Sequence, residues 1–222
     1  DNISSGLADF GYAFASVDPL TKIDDENKTV DLTFFVDPGK RTYVRQIVFN
    51  GNDKTNDETL RREMRQFEGA PYSRRAIQRS RTRVARLPFM QDVRVETKKV
   101  PGSDDLVDIN YNVAERAAGQ INAGVGYSDS EGFLINGGVK HTNFRGTGNT
   151  VQVNAQTNDF AQSISGSYTN PYFTPEGVSR TLSAFYRNTD QLIRTGSSFD
   201  LNSVGGALTF NFPITEYTTF RA

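Results

Sequence analysis

Two kinds of alternation run along the chain, and they change character near its middle. Residues 42–49 alternate Val44, Gln46 and Val48 against Tyr43, Arg45, Ile47 and Phe49, a period of two that predicts a strand, and Asn50-Gly51-Asn52-Asp53 closes it with a turn. A helix is predicted next. Asn56, Asp57 and Glu58 open it and Arg61, Arg62 and Arg65 follow, the polarity a helix dipole favours. Leu60, Met64 and Phe67 give it one apolar face. A second helix starts after Ser73, a capping residue, with Ile77, Ser80, Val84 and Leu87 on one stripe and Arg74, Arg75, Arg79, Arg81, Arg83 and Arg86 mostly outside it, and Pro88 ends it. Val93 and Val95 begin a strand that alternates to Lys98. After the turn 101–105, Val107, Ile109, Tyr111 and Val113 form its hairpin partner. The order is β-α-α-β-β. Ahead of it, residues 1–38 read as the end of another such module: a helix to about Gly11, a short strand from Ala13 to Val17, a polar turn at Asp24-Asp25-Glu26-Asn27, and a strand over 29–36 with Val30, Leu32, Phe34 and Val36 on one face.

The second half reads as long hairpins. Val151, Val153 and Ala155 alternate with Gln152, Asn154 and Gln156, while Val204, Gly206, Leu208, Phe210 and Phe212 alternate with Ser203, Gly205, Ala207, Thr209 and Asn211. One face is apolar and the other is small or amide-bearing. A water-soluble sandwich would carry charges outside and large apolar groups inside, whereas a membrane barrel carries apolar residues toward lipid and polar, often small, residues inward. The second pattern fits better. Further strands are predicted at 119–127, 132–141, 161–169 and 178–187, and a seventh starts near Tyr217. Tyr168, Tyr172, Phe173, Phe185 and Tyr186 are predicted near strand ends, where an aromatic girdle would lie.

Composition sharpens the division. Of the 51 Asp, Glu, Lys and Arg residues, 37 lie in 1–115, whereas 13 of the 19 glycines lie in 116–222. Such a shift predicts two different surroundings on either side of about Glu115. The net charge of -1 argues against general nucleic-acid binding. No window approaches 18 consecutive apolar residues, so no transmembrane helix is expected. The start at Asp1 lacks a signal sequence, which reads as a mature or internal beginning. With no Cys, thiol chemistry and disulfides drop out.

Candidate chemistry is sparse. The arginines of the second helix could meet phosphates, but no stacking aromatics are interleaved with them, and a solvated helix face is the expectation. Asp24, Asp25 and Glu26 lack the spacing of a calcium loop and are read as a turn. Gly124-Val125-Gly126 lacks the third glycine and following helix of a dinucleotide site. His141 has no second histidine and no nucleophile elbow near it, so no hydrolase triad or metal site is expected. Neither a catalytic residue nor a cofactor is assigned.

Several motifs together resemble one family. Phe34 to Lys40 (FFVDPGK), Leu60 to Gly69 (LRREMRQFEG), Val100-Pro101-Gly102-Ser103, Gly124-Val125-Gly126-Tyr127 and Thr169-Asn170-Pro171-Tyr172-Phe173 are similar to the BamA family of outer-membrane assembly factors. The resemblance implies α+β POTRA modules in the periplasm followed by an antiparallel transmembrane β-barrel. Residues 1–38 would match the end of the fourth POTRA domain, 39–115 the fifth, and 116–222 the first six to seven of sixteen strands. It implies partners, namely outer-membrane barrel precursors, Bam lipoproteins including BamD, and the lipid bilayer, with no nucleic acid. The first barrel strand, Gly119, Gln120, Ile121, Asn122, Ala123, Gly124, Val125, Gly126 and Tyr127, would be the lateral-gate edge that takes a client strand. Glu68, with Arg65 beside it, would dock a partner lipoprotein; Pro71 and Tyr72 stand where the family carries bulkier residues. The alternatives are a polypeptide-exporting transporter of the same superfamily and an outer-membrane enzyme. An open sheet of this length would have two bare edges in lipid, so the chain by itself is expected to require detergent.

Overall fold

In a computed structural model the described residues are 2–25, 27–192, 198–215 and 218–222. They form two compact units, one of residues 1–53 and 60–115, the other of 54–59 and 116–222.

The first unit opens with α1 (Asn2–Asp9) and the antiparallel pair β1 (Ser16–Asp24) and β2 (Thr29–Asp37). The strand expected at 13–17 is therefore both later and longer. Pro19, Asp18 and Lys22 hide its alternation, yet it pairs with β2 at every position, Pro19 facing Phe34. Val30, Leu32, Phe34 and Val36 do share a face, and among the described residues that face is uncovered. The turn between the strands is held by Asp24, whose carboxylate accepts from Asn27 N and Nδ2; Glu26 lies outside the described residues.

The core of this unit lies in the next module. β3 (Tyr43–Asn50), α2 (Asp57–Arg61), α3 (Arg74–Ala85), β4 (Met90–Lys99) and β5 (Leu106–Glu115) follow in the expected order. β5 is central, antiparallel to β4 and parallel to β3. Its Val107, Ile109, Tyr111 and Val113 are buried, as are Ile77, Ser80 and Val84 of α3, and Tyr111 Oη donates to Ile77 O at 3.4 Å. Ser73 caps α3 by accepting from Ala76 N at 3.2 Å.

Two expectations are corrected here. In β3 the buried residues are Val44, Ile47 and Phe49, because a bulge between Val44 and Gln46 shifts the register by one and pushes Arg45 outward to pair with Asp108. The first helix stops at Arg61 instead of carrying one face to Phe67. Leu60 and Met64 are buried, but Phe67 is 64% exposed. The cause is Ser80: its Oγ accepts from Arg65 N at 2.8 Å and Gln66 N at 3.3 Å, so those donors are spent on α3 rather than on a continuing helix.

The second unit is one antiparallel sheet whose strands neighbour each other in chain order: β6 (Gly119–Ser128), β7 (Gly132–Phe144), β8 (Asn149–Thr157), β9 (Ala161–Asn170), β10 (Ser179–Leu192), β11 (Ser198–Pro213) and β12 (Thr219–Arg221). Register puts Ile121, Val139, Val153 and Tyr168, Leu182, Leu208 on one face, and Gln120, Asn122, Asn136, Asn154, Ser165 and Ser183 on the other. The alternation is as expected, although Tyr217, where the last strand was placed, lies outside the described residues. The aromatic girdle is corrected in part: Tyr168, Tyr172 and Phe173 lie at or just beyond the end of β9 as expected, but Phe185 and Tyr186 do not lie at a strand end. β10 runs on to Leu192, so Phe185 and Tyr186 are mid-strand, and Phe185 faces the amide-bearing side. The rings that do gather at a strand end are Phe173, Phe210, Phe212 and Phe220, at centroid spacings of 6.1, 6.2 and 6.5 Å.

Residues 54–59 belong to this unit through the turn after β7. Asn143 donates through Nδ2 to Thr55 Oγ1 at 2.8 Å and accepts at Oδ1 from Gly148 N at 2.8 Å. Gly146 O accepts from Asn56 N and from Thr59 Oγ1, both at 2.9 Å. Gly146 has φ +76, and a Cβ there would lie 2.4 Å from Lys54 O, so only glycine fits.

Candidate functional site

An unpaired strand edge is a row of backbone N–H and C=O groups, and the first unit covers one of its edges, that of β3. The side of β3 away from β5 is covered by residues 68–72. Gly69 N donates to Val44 O, Val44 N to Ala70 O and Tyr72 N to Thr42 O, at 2.7, 3.0 and 2.9 Å. Glu68 completes the cover: its Oε1 accepts from Ile47 N at 2.7 Å and from Arg61 Nη1 at 3.0 Å. Arg61 also donates to Ile47 O at 3.1 Å and lies over Phe49. Glu68 is thus tied to its own strand while 45% of its side chain stays open to solvent. Arg65 sits apart from this pair; its Nη1 donates to Met64 O.

Among the described residues the sheet of the second unit ends in two strands, β6 and β12, that each have one neighbour. Of these, β6 pairs with β7 alone, from Gly119 opposite His141 to Ser128 opposite Gly132. The nine residues from Gly119 to Tyr127 therefore all lie on one strand with one bare side. Their apolar face is Ile121, Ala123, Val125 and Tyr127, of which Ile121 is 83% and Val125 77% exposed. Tyr127 packs edge-on against Phe133 at 5.3 Å. On the other face stand Gln120, Asn122, Gly124 and Gly126. Asn136 of β7 leans over Gly124, its Oδ1 2.6 Å from where a Cβ would be. The signal for this pattern was in the sequence as the glycine spacing; the amide that fills it was not.

His141 lies near the end of β7, beside the bulge at 141–144, and its Nδ1 accepts from Asn143 N at 3.3 Å. This bond orients the ring. The arginines of α3 divide into two sets. Arg74, Arg81 and Arg83 bond to Ser5, Val93 O and Glu63. The guanidinium groups of Arg75, Arg79 and Arg86 lie on the solvent side.

Comparison with known proteins fits this arrangement of a covered α+β module and an open-edged sheet. Residues 42–116 match the POTRA family, described as a surface antigen variable number repeat, and residues 143–222 match the Omp85 superfamily domain. The outer membrane protein assembly factor BamA of Neisseria meningitidis serogroup B is 34% identical over 96% of the chain. This chain is a BamA-like member of the Omp85 superfamily. It spans 27% of that relative's length. A crystal structure of BamA from Haemophilus ducreyi lacking POTRA domains 1–3 superposes with a TM-score of 0.86 at 40% identity, covering 99% of this chain and 42% of that one. CdiB from Acinetobacter baumannii, at 14% identity over 93% of this chain and 39% of its own, shares the fold with a TM-score of 0.55. The BamA-like chain thus joins a POTRA domain to part of a β-barrel.

Proposed function

We propose that this chain is the strand-receiving part of an outer-membrane protein assembly factor, and that β6 accepts a strand of an incoming barrel precursor. The reading rests on the likeness to BamA proteins and on the place of β6 at one end of the sheet, with Ile121 and Val125 of its apolar face exposed. In a bilayer no water satisfies the backbone groups of a strand edge, so any strand that completes the ladder is strongly favoured. Recognition through backbone groups tolerates many clients and requires no catalytic side chain; the role is read as non-enzymatic, without a cofactor. The sheet would lie in the outer membrane with the POTRA module in the periplasm. On this reading, residues 1–38 are the end of a preceding POTRA domain, in keeping with the likeness to a BamA that lacks only domains 1–3.

Glu68 is the proposed docking point for a Bam lipoprotein, BamD among them. A partner's cation would join a carboxylate that already holds Arg61 and Ile47 N, so docking would also tighten the cover over β3. Replacing Glu68 by Gln should keep an acceptor for Ile47 N and remove the charge. The expected result in co-purification of the full-length protein is a loss of lipoprotein at least tenfold larger than any change in POTRA unfolding would explain. Equal recovery of the lipoprotein would remove Glu68 from the interface.

The test of the reading itself is photocrosslinking from Ala123, in the full-length protein in living cells. Capture of barrel precursors through their terminal strands is expected. Capture of a soluble exported polypeptide would favour a transporter, and capture of the protein's own last strand alone would indicate a closed barrel.

A further inference from the structure

Glycines on the two faces of the sheet have different neighbours. On the amide-bearing face Gly124, Gly138 and Gly205 each sit under a planar side chain from a residue directly opposite, whereas Gly126 is opposite Leu134. Asn136 covers Gly124, Asn122 and Asn154 cover Gly138 from both sides, and the ring of Phe185 covers Gly205. At these three the covering atom lies 2.5–2.7 Å from where a Cβ would be, so a larger residue would require the covering side chain to move. On the apolar face, by contrast, a Cβ at Gly137 or Gly166 would meet only backbone oxygens, at 3.8 and 3.9 Å. Their opposite residues are Ala123 and Ala155, and Val153 and Ala184. Close covering by a planar group, within 3 Å, is thus found at Gly124, Gly138 and Gly205 of the amide-bearing face, while on the apolar face the opposite ring of His141 stands 3.7 Å from a Cβ at Gly119 and Ser183 O 3.3 Å from one at Gly206.

Gly138 has a strand on both sides and is covered from both. Gly124 lies on the edge strand and is covered from β7 alone, leaving the same recess open toward the bare side. Gly126, two residues on, extends it, since a Cβ there would come no nearer than 3.9 Å to Leu134. Resting on the strand-receiving role proposed above, we propose that Gly124 selects the incoming strand by side-chain shape. The client residue directly opposite Gly124 carries a planar amide or aromatic side chain that lies across the glycine, as Asn154 lies across Gly138. Such cross-strand contacts are the unit by which sheets discriminate partners and register, and a small client residue would leave the recess empty.

The experiment uses the full-length protein in cells, with a photocrosslinker at Ala123 and a barrel precursor whose inward-facing terminal-strand positions are changed in turn to Asn, Phe or Ala. At the position opposite Gly124, Asn and Phe are expected to raise capture at least threefold over Ala. Gly124→Ala should abolish that preference, so that the Asn-, Phe- and Ala-bearing precursors are captured to the same extent. Combining Gly124→Ala with Asn136→Ala removes the collision on the β7 side, so the preference should stay lost in a sheet relieved of that strain. Equal losses for all precursors, or a preference that survives both variants, would overturn the selection while leaving strand reception intact. Absence of any precursor at wild-type β6 would overturn strand reception and the selection with it.

Discussion

At the scale of residues, the first unit turns on a few buried polar groups. Ser80 is fully buried; besides accepting from Arg65 N and Gln66 N it donates to Ala76 O at 2.8 Å. Ser80→Ala would strand two backbone donors and should cost about 1–3 kcal/mol, measured as a loss in the denaturant midpoint of the POTRA transition with unchanged slope. A variant as stable as the parent would show that water replaces the hydroxyl. Tyr111 is fully buried under α3, stacked on Phe49 at 5.5 Å, and burial pushes its phenol up to about 12. An unfolded tyrosine ionises near 10. The neutral ring's contribution is thus complete below pH 10 and is lost as pH rises from about 10 to about 12, a difference of about 2–3 kcal/mol at most. Tyr111→Phe should flatten the alkaline fall in stability; identical pH profiles would contradict this. At lower pH the Lys40–Asp104 pair acts in the other direction. The hydrogen bond from Lys40 holds the Asp104 carboxyl below its ordinary range and Lys40 above its own, so the pair is complete at neutral pH and is lost as Asp104 is protonated in acid or Lys40 is discharged in strong alkali. Both groups are open to solvent, and the effect on stability is small. The sequence showed Ser80 on the buried stripe of α3 and Tyr111 on the inner face of β5. It did not show that Ser80 halts the preceding helix, because that depends on which donors tertiary packing brings within reach.

At the scale of elements, periodicity was legible wherever one face of a strand is consistently buried or consistently apolar. Strands β6 to β11 were readable because their alternation is unbroken over many residues. β1 was not, since its polar and proline residues carry no period and pairing with β2 alone defines it. β3 misled for a different reason: one bulged residue inverts the faces on either side of Arg45. The attachment of 54–59 to the turn after β7 was also invisible, being made of backbone groups, two threonines and one asparagine. It makes a prediction of its own. Gly146→Ala places a Cβ against Lys54 O at a positive φ, so it should release that segment and speed amide exchange at Asn56 and Gly148 at least tenfold, read by hydrogen exchange in detergent. Unchanged exchange at both amides would show that the turn adapts without letting go.

At the scale of the whole molecule, two solutions to one problem stand side by side. The POTRA domain covers the outer edge of β3 with its own chain and with Glu68, so that water-exposed backbone finds partners internally. Among the described residues β6 has one neighbour in the sheet, and the receiving role proposed for it follows from the medium around it. The division into these parts was legible from charge and glycine content, and the family from short motifs. The cover over β3 was not legible, because it depends on residues 68–72 returning to a strand some 20 positions earlier. The central claim is that β6 forms a ladder with a client strand. Single cysteines at successive positions from 119 to 127 of the full-length protein, freed of any native cysteines, can be tested against single cysteines along a precursor's terminal strand. Disulfide yield should peak along one antiparallel diagonal, each step along β6 matched by one step back along the client. Uniform yields, or none above those between unrelated surface positions, would contradict strand pairing at this edge.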